Sequence, residues 1–502
     1  MRRFASGFAL LLAFAAPLAA DAADRGPANI PKPQASGAPW SDAERAAAAA
    51  DAEAALAGAP TLRGAHVGLL AVDARDGTVL AAHGADDVFQ PASTFKILVG
   101  SAALDRLTPA FRLRTTAEIV NPVTQGVLHG AVLLRGSGDV LLDDAAFATL
   151  AAALRAASIR TVEGDVEPVR TAHAPYLPGW SWDDEPWYYA APITALGYND
   201  HALSIRVSAG THAGAPVSAA VTPFGSVCAA RAPCAAGDGP AIVIDATTGV
   251  PGSENTIDAA REGARLIVTG SIPAGAAPVD LDLAVPDPPL YAATAARRAL
   301  NAGGIATLRH RPAAPATAPR VIWSHDSEPL GDLLADAWLP SDNVLAESLL
   351  RVLGGTPAAP YGTTAAGIAA ESAWLKTIGV DVSTLAIEDG SGLSTYDRVT
   401  PRALVAVLRH DWDGPYREVV LDALPVSGAR GTLKNAFKGT SAERTVFAKT
   451  GSVSHVRTLA GYVATRTHGT VIFAFLIDDR IDADAAALDA LRARVLSRFA
   501  EI

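Results

Sequence analysis

Three short runs in this chain bring together residue types that could carry out covalent chemistry. Ser93-Thr94-Phe95-Lys96 sets a hydroxyl and an amine three residues apart, on one face and one turn apart if the run opens a helix. A serine needs an adjacent base to become a useful nucleophile, and a lysine can be that base once burial or a second cation lowers its pKa. The structural alternative is a capping serine beside a solvated lysine. Lys449-Thr450-Gly451-Ser452 follows the strand-like Val446-Phe447-Ala448. A lysine and a hydroxyl at a strand edge can hold a carboxylate by charge and hydrogen bond, and Gly451 leaves room for a substrate backbone alongside. Ser341-Asp342-Asn343 precedes the helical run Val344–Leu350. A helix cap explains it equally well, and a second Ser-x-Asn stands at Ser253-Glu254-Asn255. Lysine is scarce, six in 502 residues, and only Lys96 has a serine three places before it.

The elements that must position these runs can be read from periodicity and turn chemistry. Ser41-Asp-Ala-Glu44 is a capping box that opens an alanine-rich helix to about Leu56. His66–Asp73 and Thr78–Ala82 read as strands turned by Asp76-Gly77, and a helix runs from near Ser93 through Leu104. Between about 105 and 283 the texture changes to short β-rich runs separated by Gly and Pro, with one helix at Asp143–Ala157. From Leu290 the pattern is helical again. The tail is a meander of Val446–Ala448, Leu459–Ala464 and Val471–Ile477, closed by a helix over Asp484–Phe499 whose Leu488, Leu491, Val495 and Phe499 form a core stripe.

Composition narrows the function classes. Half of the chain is hydrophobic and 19% charged, which excludes a disordered or collagen-like protein. The net charge of −11 argues against nucleic-acid binding, which needs a basic face, and against adhesion to an anionic membrane. Arg2, Arg3, the apolar Phe8–Ala16 and Ala20-Asp21-Ala22 have the form of a cleaved export signal. Residues 1–22 are therefore expected to be removed, and the mature chain to be periplasmic with no stable membrane anchor. Residues 24–40, rich in Pro, Ala and Gly, read as a flexible leader. In an oxidising compartment Cys228 and Cys234 favour a short structural disulfide. Neither a metal site nor a cofactor is expected.

The order of the three runs is informative. Ser-x-x-Lys, then Ser-x-Asn before a helix, then Lys-Thr-Gly on a strand is the signature of serine enzymes that attack β-lactams and D-Ala-D-Ala peptides. With Gly179-Trp-Ser-Trp-Asp-Asp184, Asp389-Gly-Ser-Gly-Leu-Ser394, Val399-Thr-Pro-Arg402, Leu424-Pro-Val-Ser-Gly428, Gly431-Thr-Leu-Lys434 and Leu459-Ala-Gly-Tyr-Val463, the chain resembles the class C low-molecular-mass penicillin-binding proteins. These are the D-alanyl-D-alanine carboxypeptidase/endopeptidase family, S13.

The resemblance implies an α/β (α+β) fold. A β-lactamase/transpeptidase-like domain, an antiparallel sheet flanked by helices, would be made from 23–104 and 284–502, with a large β-rich insertion at 105–283. It also implies roles. Ser93 would be the nucleophile, Lys96 its base, Ser341 a proton relay, Asn343 the holder of the acyl-side amide, and Lys449 with Thr450 the carboxylate site. Gly451 would flank the substrate, and the N–H groups of Ser93 and Ser452 would form the oxyanion hole. The implied partners are peptidoglycan stem peptides ending in D-Ala, and β-lactams. Thr395 stands where relatives often carry a basic residue, with Arg398 three further on. Asp184 is left between stem-peptide recognition and a structural role. A β-lactamase and a silent peptidoglycan-binding protein are the competing readings; the long insertion argues against the first, and the complete set of reactive residues against the second.

Overall fold

The computed structural model describes residues 25–26, 30–171, 176–224, 226–229, 233–235, 239–310, 317–481 and 484–501. The expected export signal and the side chains of Cys228 and Cys234 lie outside the described residues. The backbone of the two cysteines lies on strands Ser226–Ala229 and Pro233–Ala235.

A five-stranded antiparallel sheet joins the two ends of the chain. Its strands are β1 (His66–Asp73), β2 (Val79–His83), β3 (Val446–Val453), β4 (Val456–Ala464) and β5 (Thr470–Asp478), in the order β3-β4-β5-β1-β2. The central pairing sets His66 opposite Asp478 and Asp73 opposite Val471, so the sheet closes only when residues some four hundred positions apart meet. Both faces are covered, and the strands therefore read as continuous apolar runs. Along β5, Val471, Phe473, Phe475 and Ile477 enter one core, while Ile472, Ala474 and Leu476 enter the other, the period of two that a strand imposes.

On the first face lie α1 (Asp42–Ala57), with the expected Ser41–Glu44 capping box, and the terminal α6 (Ala485–Glu501). The expected stripe of Leu488, Leu491, Val495 and Phe499 is buried there. On the second face lie α2 (Lys96–Leu107), α3 (Leu330–Trp338), α4 (Asn343–Leu353) and α5 (Pro401–Asp413). Every residue of α2 from Lys96 to Leu104 is buried, and within that stretch the polar side chains are Lys96 and Ser101, the latter donating to Asp411 at 2.7 Å.

The segment after α2 forms four-stranded sheets around its own core. The sequence expectation returns the chain to the first part at 284. In the structure the helix Pro288–Ala302 buries Tyr291, Ala292, Ala295 and Leu300 in the inserted core. Strand Arg320–Asp326 pairs with Arg114–Ile119, and α3 is the first later helix whose apolar side chains enter the core on the second face of the five-stranded sheet.

The leader differs from its flexible reading. Ala38 N–H donates to the Thr467 carbonyl at 2.8 Å, Thr470 Oγ1 to the Gln34 carbonyl at 2.7 Å, and Lys32 pairs with Glu418 and Asp422 at 3.0 and 2.7 Å. Proline and glycine there suppress regular structure without preventing backbone hydrogen bonds to the sheet's outer turn.

Candidate active site

Ser93 sits in a single 3-10 turn, Ala92–Phe95, that runs directly into α2. The expected helix thus starts three residues later than Ser93, yet the one-turn offset to Lys96 survives. Lys96 Nζ lies 2.8 Å from Ser93 Oγ, 2.6 Å from Asn343 Oδ1 and 2.9 Å from the Ser391 carbonyl oxygen. Lys96 is wholly buried, and burial lowers its pKa to about 8 against the opposing pull of Asp389, Asp342 and Glu347.

Asp342 is the N-cap of α4, its Oδ1 accepting from Leu345 N–H at 2.9 Å. The capping explanation of the Ser341-Asp342-Asn343 run is therefore correct for Asp342, and the cap is what presents its two neighbours. Ser341 stands in the left-handed region at φ 70°, a strained setting for a non-glycine residue. Asn343 Nδ2 donates to the Tyr189 carbonyl at 2.8 Å, which fixes Oδ1 as the acceptor facing Lys96. The second Ser-x-Asn serves elsewhere: Asn255 caps a turn in the insertion by accepting from Ile257 N–H.

On edge strand β3 the alternation puts Lys449 on the face of Phe447, toward α2. Lys449 Nζ donates to Ser341 Oγ at 2.8 Å and to the Thr450 carbonyl at 2.9 Å. Burial, and then the neighbouring Lys96, push its pKa well below the ordinary value. Thr450 Oγ1 is 2.7 Å from Thr432 Oγ1, and Ser452 is exposed at the strand's end.

A packing reason for glycine at 451 stands beside the substrate room read in sequence. A Cβ there would run into Thr458 Oγ1 and would lie 2.8 Å from the Pro91 carbonyl oxygen and 3.0 Å from Ser93 N. Its absence lets β3 press against the turn that carries Ser93.

The structure thus joins Ser93, Lys96 and Asn343 in one set of hydrogen bonds and Ser341 with Lys449 in a second, the two lysines standing close enough for Lys96 to lower the Lys449 pKa, with Thr450, Gly451 and Ser452 on the adjoining strand. Asp184 stands apart from both sets. Half-buried, its carboxylate accepts from Tyr189 Oη at 2.9 Å, and burial raises its pKa. Thr395 is tied to Gly179 by its N–H and its hydroxyl at 3.1 and 3.0 Å. Arg398 is spent on the carbonyls of Thr395 and Asp397. The sequence reading assigned no role to the Tyr189 and Ser391 carbonyls, to Thr432 or to Thr458. Backbone carbonyls carry no residue-type signal, Thr432 stands in the quoted Gly431–Lys434 run without a function attached, and Thr458 belongs to no spacing pattern.

Comparison with known proteins bears on the family and the fold. Residues 48–497 match the D-Ala-D-Ala carboxypeptidase 3 (S13) family. A D-alanyl-D-alanine carboxypeptidase from Actinomadura sp. (strain R39) is 33% identical over 421 residues, covering 80% of this chain and 76% of that protein. The D-alanyl-D-alanine carboxypeptidase DacB of Haemophilus influenzae is 25% identical over 431 residues, covering 83% and 86%. In fold, the crystal structure of penicillin binding protein 4 (dacB) from H. influenzae superposes with a TM-score of 0.76 at 23% identity, over 90% of this chain and 99% of that one.

Proposed function

The chain belongs to the D-Ala-D-Ala carboxypeptidase 3 (S13) family, a serine-type peptidase family, and from that premise we propose how its residues perform the reaction and where. The reading is that it hydrolyses peptidoglycan stem peptides ending in D-Ala-D-Ala through an acyl-enzyme on Ser93, as a carboxypeptidase, a DD-endopeptidase or both, and that β-lactams acylate the same serine. Outside the cytoplasm is the proposed site of action, reached by the N-terminal export signal; no described helix is long and apolar enough to cross a membrane.

The observation that carries the reading is the surroundings of Lys96 Nζ. Neutral lysine has two N–H donors and one lone pair. Asn343 Oδ1 and the Ser391 carbonyl can only accept, so they take the two donors and leave the lone pair facing Ser93 Oγ at 2.8 Å. Lys96 then removes the hydroxyl proton as the oxygen attacks the penultimate D-Ala carbonyl, within the reach that general-base catalysis requires. The N–H groups of Ser93 and Ser452 stabilise the oxyanion. The proton passes by way of Ser341 to the departing D-Ala nitrogen, and water completes the cycle.

Lys449 and Thr450 receive the terminal carboxylate. Burial withholds the counter-charge that a Lys449 ammonium needs, and an incoming carboxylate supplies it. Asp184 is assigned to the wall of the cleft: its bond to Tyr189 steadies the residue whose carbonyl holds Asn343. In domain terms, 23–104 and the chain after about 327 form the catalytic part, and the stretch between forms the insertion.

Release of D-Ala from a stem pentapeptide, and of monomers from a D-Ala-linked dimer, tests the reading. Both should vanish in Lys96→Met. Undiminished release in that variant would remove Lys96 from the mechanism.

A further inference from the structure

We propose that Glu347 is a positioning residue for the general base: with Asp389 it fixes the 389–394 loop so that the Ser391 carbonyl occupies one N–H of Lys96 and the Lys96 lone pair stays aimed at Ser93. The inference rests on the reading of Lys96 as base given above.

Lys96 has two acceptors besides Ser93, and both trace to α4. Asn343, the first residue of that helix, supplies one directly. Glu347, one turn on, sets the other: its Oε1 accepts the N–H groups of Gly390 and Ser391 at 2.9 and 2.8 Å. These bonds hold the two peptides that lead into Ser391, while the plane that carries the Ser391 carbonyl is held at its Gly392 N–H by Asp389. Asp389 completes the loop, taking Ser391 and Gly392 N–H on Oδ1 at 3.0 and 2.6 Å, and Ser394 N–H with Trp180 Nε1 on Oδ2 at 2.8 and 2.9 Å.

The same loop also touches the nucleophile's turn. Gly392 has φ 78°, and a Cβ there would strike the carbonyl oxygen of Ala92, which is itself left-handed at φ 46°. One loop therefore sets the spacing of base and nucleophile together.

A purely structural role fits Glu347 poorly. It is wholly buried, its Oε2 has no hydrogen-bond partner among the described residues, and Asp389, Glu371 and Asp397 crowd it with Arg351 as the nearby cation. A carboxyl held in that company costs stability, and an apolar side chain of similar size would pack there more cheaply. Polar groups kept at such a cost cluster at functional sites.

The test is saturation kinetics of benzylpenicillin acylation on the full mature chain, giving the acylation rate constant, the pre-covalent dissociation constant and the labelling stoichiometry from pH 6 to 10. In Glu347→Ala the Gly390 N–H loses its acceptor and the Ser391 N–H keeps only Asp389, so the loop loses its tie to α4 and the Ser391 carbonyl shifts with it. The rate constant should fall by about thirtyfold or more, the scale of a misdirected proton transfer, with the dissociation constant within about threefold and one adduct per chain. Glu347→Gln keeps an acceptor oxygen for both N–H groups, and because burial and then Asp389 raise the Glu347 carboxyl to about 8, it removes little charge below that pH. It should restore the rate to within about fivefold of the parent and leave the acidic limb in place. That limb reports Lys96, faced by Asp389, Asp342, Glu347 and Lys449.

An unchanged rate constant in Glu347→Ala overturns the proposal. So does a glutamine variant that does not restore the rate. If the alanine variant does not fold, Glu347→Met, which fills the space and offers no acceptor oxygen, takes its place with the same expected loss and the same refuting result. A parent that takes no label at Ser93 sinks the enzymatic reading itself, whereas a labelled parent with indifferent Glu347 variants sinks only this inference.

Discussion

Replacing Gly451 by alanine separates a steric account of the site from a loosely packed one. The backbone at 451 is not left-handed, so alanine meets no conformational penalty and the whole effect is contact. Ordinary contact begins at 3.4 Å, so the Pro91 oxygen would have to retreat by about 0.6 Å and Ser93 N by about 0.4 Å, with a larger conflict at Thr458. Thr458 cannot swing away: it is fully buried and its hydroxyl is bonded to the Pro91 carbonyl at 2.6 Å. The strain therefore passes into the turn that holds Ser93 and its N–H. A displacement approaching an ångström at reacting groups costs about a hundredfold, and the loss of one oxyanion donor about 10²–10³-fold. Benzylpenicillin acylation of Gly451→Ala should accordingly slow by about two orders of magnitude. Overpacking should lower stability by about 1–3 kcal/mol, offset by a few tenths from the stiffer unfolded chain. Adding Thr458→Ala removes the worst conflict and should recover about tenfold of the rate. Acylation of Gly451→Ala within about threefold of the parent, at full stoichiometry, would refute the close approach of β3 to the Ser93 turn.

Two further expectations concern protons. Because the Lys96 pKa is depressed to about 8 and only the neutral amine accepts the Ser93 proton, the acylation rate should fall about tenfold per unit as pH drops below 8 and level off above it; a rate flat from pH 6 to 9 would contradict Lys96 as base. Glu371 is buried, its Oε2 has no hydrogen-bond partner among the described residues, and its pKa is raised from 4.5 to about 8, by burial first and then by Glu347 and Asp389. Between those values the folded state binds a proton that the unfolded state has released, so this group's contribution to stability declines as pH rises from about 4.5 to 8. Glu371→Met removes that decline. Its stability relative to the parent should improve by about 2–4 kcal/mol between pH 5 and 8 in denaturant titrations, and a difference that does not change with pH would contradict the assignment.

The three reactive runs were legible because residue type and spacing are written directly in the chain, and Ser93, Lys96, Ser341, Asn343 and Lys449 do converge. Their supports were less legible, for identifiable reasons. The partners of Asn343 and Lys96 at Tyr189 and Ser391 are main-chain oxygens, which any residue could supply. Gly451 announced a need for space, but not that the space is filled by the Ser93 turn. The terminal meander was visible as strands; its union with β1 was not, because β1 and β5 are apolar on both sides and alternation names no partner. Helix Pro288–Ala302 shows the same limit: its apolar face was plain, while the inserted core it packs against was not. The leader was misread because composition reports a lack of regular structure, whereas its order comes from single long-range bonds such as Thr470 to Gln34.

Acyl transfer through Ser93 can be read from the intact mass of the mature chain after mixing with benzylpenicillin, followed from minutes to hours beside Ser93→Ala. One penicilloyl group per chain, persisting in the parent and absent from the variant, is the expected result. No adduct on the parent, or an adduct on Ser93→Ala, would contradict the claim; an adduct that vanishes quickly with turnover of the drug would make the protein a β-lactamase instead.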